Sequence, residues 1–338
     1  MPSRSGKDSY SQALGRLTEI FRSTPDKYEA HRASTPVLHE MAEDPAYLTS
    51  VLEEYLSRPG VWNCTHYPVL GGGFALNAYH SLDVNFWVPL ANADPDLSTK
   101  AIHHHGRMVL STVNIFGPGY EHWTFKPPQL TDSDHEIFQL ELLSRGQHAR
   151  GNIAFVDVNV PHVPFYAPAL SVTVALWSNS IATTWRDHVK RMPLVRDHGP
   201  KLKKLAQRAG LAKTLDLKVP EYFDFYPTPR GFKGIRERKE FARGPNENFV
   251  AILFYILQQS GRQELAPLIQ QTLDSDAKLD NRDLMVRLLA DLKAGRAIAA
   301  RHSAGHSDVA FANFRARDIE QALAAQSATK THKAADGR

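Results

Sequence analysis

The chain has 338 residues, of which 42% are hydrophobic and 22% charged, and a formal net charge of +4. That balance excludes wholesale disorder and allows one elaborated domain or two. A single cysteine, Cys64, excludes an intrachain disulfide framework and a cysteine-rich zinc site, which favours a reducing cytoplasm; no apolar run reaches the roughly 18–20 residues a membrane-spanning helix needs.

Residues 1–60 read as a helical arm. Leu14, Leu17, Ile20 and Phe21 recur at helical spacing, as do Leu48, Val51, Leu52, Tyr55 and Leu56. Asp44-Pro45 supplies an N-cap followed by proline in the first turn, and Pro59-Gly60 ends the second helix. Between 61 and 180 the texture becomes that of strands. Val84–Val88, Met108–Phe116, Glu121–Phe125, Asn152–Val158 and Leu170–Trp177 are β-branched and aromatic runs separated by Gly, Pro and Asn. Short strands without a long helical pattern predict an all-β sandwich or barrel. The glycine run Gly71-Gly72-Gly73 lacks the lysine of a phosphate loop and reads as a turn, and Cys64 reads as a small buried hydrophobe.

From 181 to 325 a basic linker leads into a C-terminal helical region, with stripes at Phe249, Ile252, Leu253, Ile256, Leu257 and at Leu284, Leu288, Leu289, Leu292. The segment from Trp185 to Gly244 carries 16 Lys+Arg against 7 Asp+Glu, so the basic character belongs to one stretch. Lys201, Lys203, Lys204, Arg208, Lys233, Arg236, Arg238 and Lys239 accompany no nucleic-acid motif; a solvated face or a dock for an acidic partner is the plainer reading. Residues 326–338 are polar and read as a flexible tail.

The histidines carry the chemistry. In Ile102-His103-His104-His105-Gly106, strand alternation puts His103 and His105 on one face and His104 on the other. Two such imidazoles can reach one cation at roughly 2.0–2.2 Å, with a third ligand from elsewhere in the chain.

His103 and His105, with Gly117 downstream, fit the first motif of the cupin superfamily, and Gly151 with His162 fits the glycine and histidine of the second. The stretch from 97 to 178 resembles that superfamily. Leu110 stands where its metal-binding glutamate would be and Leu97 at the opening glycine, while Asp157, Asn159 and Tyr166 replace the second motif's proline, glycine and asparagine. Asparagine tolerates the left-handed turn that glycine would supply. A three-histidine cupin is similar to thiol dioxygenases of the cysteine dioxygenase type. The resemblance implies a cupin-type barrel with His103, His105 and His162 on Fe(II), and O2-dependent oxidation of a small polar substrate, a thiol or amino-acid-like compound. Zinc, nickel or manganese would suit the same ligands.

Three further residues are expected at the site. Arg107, two residues past His105, would bind a substrate carboxylate if the strand continues. Glu121 would be a late metal ligand or an acceptor fixing a histidine tautomer, whereas His122 becomes a fourth ligand if that residue points inward. Tyr166 would line the pocket or donate a hydrogen bond, as would Tyr79, His80 and Trp87, although each of these residue types is commonly plain core or surface. Rival readings are a redox-silent isomerase, lyase or hydrolase, and a non-catalytic ligand sensor. The helical additions would close a barrel end or mediate a homodimer.

Overall fold

The computed structural model describes residues 6–58, 60–64, 69–90, 96–178, 222–236, 245–299 and 314–335. Among the described residues, thirteen strands form two antiparallel sheets. The first has the order β1 (Val69–Leu76), β2 (His80–Trp87), β11 (Ser171–Ser178), β4 (Leu110–Phe116), β9 (Ile153–Val156). The second has the order β6 (Gln129–Asp132), β7 (Ile137–Gln139), β13 (Gly231–Ile235), β12 (Asp224–Thr228), β3 (Ile102–His103), β10 (His162–Pro164), β5 (Glu121–Phe125), β8 (Leu142–Gln147). The chain crosses repeatedly between the sheets, which form the expected all-β barrel core, with helices before and after it.

Period-two alternation decides what the barrel encloses. On β2, Leu82, Val84 and Phe86 are fully buried in one apolar cluster with Val113 and Ile115 of β4 and Val172, Val174 and Leu176 of β11. That cluster is the outer face of the first sheet, and α1 (Gly6–Ser23), α2 (Lys27–Glu43) and α3 (Pro45–Leu56) cover it. The opposite parity of the same strands, including Asp83, Asn85, Trp87, Thr112, Thr173 and Trp177, therefore faces the lumen. Asp44 caps α3 as expected, its carboxylate accepting from the Ala46 amide at 2.9 Å with Pro45 in the first turn.

The C-terminal helices α4 (Asn246–Gln259), α5 (Ala266–Asp274) and α6 (Arg282–Lys293) join the same apolar cluster as the N-terminal arm. The last helix, α7 (Ala316–Ala335), packs Ile319 and Ala322 on Ile102, Trp123, Phe165 and Phe225 of the second sheet. Helices thus clad the outer faces of both sheets, because each outward row of Val, Leu, Ile and Phe needs an apolar cover.

Several expectations are revised. Gly71–Gly73 lie inside β1, paired with Asp83–Asn85, so they form a strand and not a turn. Cys64 is exposed. The barrel does not end at 180: the hairpin β12–β13, from the Pro- and Tyr-rich stretch, extends the second sheet through β3 and β7. Helix α7 continues beyond Ala325, and the Gln326 side chain accepts from the Leu140 amide at 3.0 Å. Of the basic cluster, Lys233 and Arg236 lie on or just past β13; Lys201, Lys203, Lys204, Arg208, Arg238 and Lys239 lie outside the described residues.

Candidate metal centre

The centre begins with a strand pairing. His103 of β3 and His162 of β10 are direct partners across an antiparallel ladder, and their ring centroids lie 4.3 Å apart. Their chain neighbours Ile102 and Val163 are buried in the outer core under α7, so both imidazoles project into the lumen. His105 reaches the same point from the loop after β3, its ring 4.8 Å from His103 and 4.7 Å from His162. One donor atom of each of the three residues lies within 4.8 Å of the others.

Backbone carbonyls orient two of the rings. His103 Nδ1 donates to Ala101 O at 2.9 Å, and His162 Nδ1 lies 3.4 Å from Val160 O. These contacts leave both Nε2 lone pairs directed inward, the second-sphere pattern of metal-ligating histidines. His103 Nε2 is buried with no hydrogen-bond partner, and His162 Nε2 meets His105 Nε2 at 3.1 Å. Two nitrogens roughly 3 Å apart suit adjacent positions on one cation with bonds of about 2.1 Å. An orphaned buried acceptor beside a close nitrogen pair is costly without a cation, so the residues fit a divalent metal.

The electrostatics agree. Burial holds His103 well below the usual imidazole range, helped by the charge of Lys100 and by His162 and His105. His162 is lowered likewise, first by burial and then by His105, His122 and Lys100. Both are therefore neutral with free lone pairs at ordinary pH, the form a metal requires. His104 points elsewhere, as alternation predicts. Its Nε2 donates to Tyr222 O at 2.6 Å and its Nδ1 accepts from the Gly106 amide at 2.9 Å, tying the loop to the residues before β12.

Other expected site residues separate. Gly106 turns the chain with φ of 64°, strand β3 stops at His103, and Arg107 is exposed. Glu121 faces outward on β5, accepting from Trp123 Nε1 at 2.6 Å and Arg145 Nε at 2.6 Å, so it is neither a ligand nor a tautomer anchor. His122 takes the inward position, its ring 5.3 Å from His162, and burial lowers it to about 3. Tyr166 is buried beside Leu90 and Leu97, and desolvation raises its phenol to about 12. His80 lies outside the lumen, with Nε2 3.1 Å from Thr18 Oγ1 of α1; Tyr79 is 36% exposed; Trp87 stacks on Tyr120 at 4.0 Å and donates to Thr173 Oγ1.

Leu110, at the position of the missing glutamate, is buried with Val156 and Ala175, and Val160 and Trp177 pack on them. The neighbourhood of the imidazoles is therefore apolar on that side. Trp177 lies edge-on to His105 at 4.4 Å. Trp177, Asp83 and Lys100 were not singled out from sequence. Asp83 was legible in principle, since it interrupts Leu82, Val84 and Phe86 at the lumen parity of a strand.

No protein-family model and no curated protein matches the chain. Similar solved structures include an RmlC-like cupin with a double-stranded β-helix fold from Methanocaldococcus jannaschii, at 13% identity over 33% of this chain and 81% of that one, TM-score 0.21. The cupin domain of Cnp3 from Schizosaccharomyces pombe is 4% identical over 34% of this chain and 68% of that one, TM-score 0.24. The DMSP lyase DddQ from Ruegeria pomeroyi is 9% identical over 35% of this chain and 50% of its own length, TM-score 0.22. Among the described residues, no helix is long and apolar enough to cross a membrane.

Proposed function

We propose that His103, His105 and His162 hold one divalent cation, Fe(II) in the working protein, and that the barrel carries out an O2-dependent oxidation of a small polar molecule, a thiol or amino-acid-like compound. The observation that carries this reading is His103 Nε2, buried and without a partner, beside the 3.1 Å contact of His105 Nε2 and His162 Nε2. Three neutral nitrogens and no carboxylate leave a bound dication at full positive charge, which favours an anionic donor such as a thiolate. Bound iron supplies redox chemistry with O2 that no side chain of the chain provides.

The protein's own part is positional. The carbonyls of Ala101 and Val160 hold two ligand tautomers. Leu110, Val156 and Val160 keep water from one side of the centre.

Elemental analysis of the purified chain, of His103→Ala and of His162→Ala tests the site. One metal per chain is expected in the parent and none in either variant; stoichiometric metal surviving both substitutions overturns the assignment. Oxygen uptake by the Fe(II)-loaded chain across small thiols and amino acids tests the reaction. Turnover without oxygen uptake would instead make the protein a redox-silent isomerase, lyase or hydrolase.

A further inference from the structure

We propose that Tyr28 and Asp157 are positioning residues for the imidazole of His105, which makes the N-terminal helical arm a working part of the metal centre. The reading of His103, His105 and His162 as ligands, proposed above, is the premise.

The three imidazoles are not equally secured. His103 and His162 are ladder partners on β3 and β10, whereas His105 lies in the loop after β3 has ended. That loop turns at Gly106, whose φ of 64° lies in the region glycine favours. Hydrogen bonds hold Gly106 on two sides. Its amide donates to His104 Nδ1 at 2.9 Å, and its carbonyl accepts from the Asn159 amide at 2.7 Å. Asn159 is also left-handed, with φ of 56°, a backbone state that surrounding contacts must hold in place. The Val160 amide closes the turn by donating to Asp157 O at 3.3 Å, and the Val160 carbonyl lies 3.4 Å from His162 Nδ1. One turn, Asp157 to Val160, therefore touches both the loop of His105 and the ring of His162, whose Nε2 atoms lie 3.1 Å apart.

The arm grips this turn from outside the barrel. Asp157 Oδ1 accepts from the Val158 amide at 2.6 Å and from the Tyr28 hydroxyl of α2 at 2.8 Å. Tyr28 is itself well placed. Asp26 caps α2 by accepting from the Tyr28 and Glu29 amides at 2.8 and 3.0 Å, and the Tyr28 ring lies 6.4 Å from that of Phe155 on β9. Burial, followed by the Asp157 bond and charge, raises the phenol to about 12, so it remains a donor at ordinary pH. A proline at 157, the residue of the second cupin motif, would offer no side-chain oxygen for this bond. Here a carboxylate replaces it, and a helix reaches that carboxylate. The arm thus has a task beyond covering the apolar face of the first sheet.

Co(II) titrations of the full chain and its variants, read from the visible absorption of bound cobalt, supply the test. Tyr28→Phe removes one hydroxyl and should shift the cobalt bands and weaken binding about tenfold, the lower end of what losing a residue behind a ligand costs a metal site. Asp157→Asn keeps an oxygen acceptor and should stay within about twofold of the parent. Asp157→Ala should weaken binding at least as much as Tyr28→Phe. Combining those two should add no more than about a further twofold, because both act through one bond. A contact that only holds the arm on the barrel would lower the melting temperature of metal-free Tyr28→Phe and leave cobalt affinity and spectrum unchanged. That result overturns the proposal, as does full additivity in the double variant. If the parent takes up no Co(II), the metal reading fails, and the arm is judged on the metal-free chain by the imidazole nitrogen NMR signals of His105. Signals displaced by Tyr28→Phe and restored to the parent position in Asp157→Asn sustain the positioning role; signals unmoved by Tyr28→Phe overturn it.

Discussion

His103 and His162 occupy directly opposed positions on β3 and β10, so backbone hydrogen bonding rather than loop conformation sets the separation of two imidazoles. Ladder partners have little freedom to drift, which makes the cluster a property of the folded sheet before any ion arrives.

That preorganisation has a cost, because His103 Nε2 is buried with nothing to bond. Leaving such an atom unsatisfied costs about 1–3 kcal/mol. His103→Leu should therefore leave the metal-free chain as stable as the parent or more stable, by up to about that amount. The same variant should lose the rise in melting temperature that Fe(II) or Zn(II) gives the parent. A metal-free variant that melts well below the parent contradicts this account.

Stability should fall on acidification. His31, whose Nδ1 lies 2.8 Å from Ser111 Oγ under α2, is lowered to about 4, first by burial and then by Lys27 and His80. His148, packed on Tyr120, is lowered to about 4 by burial. Both pKa values are depressed on folding, so their stabilisation is complete above the unfolded value near 6.5 and is lost as pH falls toward 4. Together they should remove on the order of a few kcal/mol across that window. Urea titrations of the metal-free chain measure it; a flat midpoint between about pH 7 and pH 5 would count against buried neutral imidazoles.

Glu121→Gln should leave metal content unchanged, because the carboxylate serves an exterior pair. Arg145 Nε and Trp123 Nε1 both donate to it, and the Arg145 guanidinium lies 4.5 Å from the Trp123 ring. The two ionic side chains are 48% and 30% exposed, which limits the loss of stability to about 1 kcal/mol. Loss of metal in this variant would return Glu121 to the centre.

Two glycine substitutions should act in opposite directions. Gly117 has φ of 80°, and an added Cβ would stand 2.0 Å from Leu170 O. Gly117→Ala combines backbone strain with a clash against main chain, so it should destabilise by more than about 1 kcal/mol. Gly15 lies inside α1 with nothing within 4 Å of an added methyl, and Gly15→Ala should stabilise by about 0.5–1 kcal/mol. Thermal melts of the two variants on opposite sides of the parent are expected.

Period-two and helical apolar patterns are local, and they placed the strands of Val84–Val88, Met108–Phe116 and Leu170–Trp177 and the helices around Leu17 and Leu52 without reference to the rest of the chain. His103, His105 and His162 were legible for a related reason: a short histidine motif and a distant histidine at a recognisable spacing. The places of Arg107 and Glu121 were not legible, because the first depended on the strand continuing past the turn at Gly106 and the second on which member of Glu121-His122 faces in, and neighbours along the chain decide neither.

By itself, then, the sequence determined the strands and helices with strong apolar periodicity and which residue types could bind a cation, since those follow from neighbours within a few positions. Only the tertiary structure decided that β10 lies between β3 and β5, that the Asp224–Ile235 hairpin extends the same sheet, and that Asp83 and Trp177 share the lumen with the imidazoles. Pairing between distant strands is set by how whole faces bury against one another, and no local spacing in the chain encodes that choice.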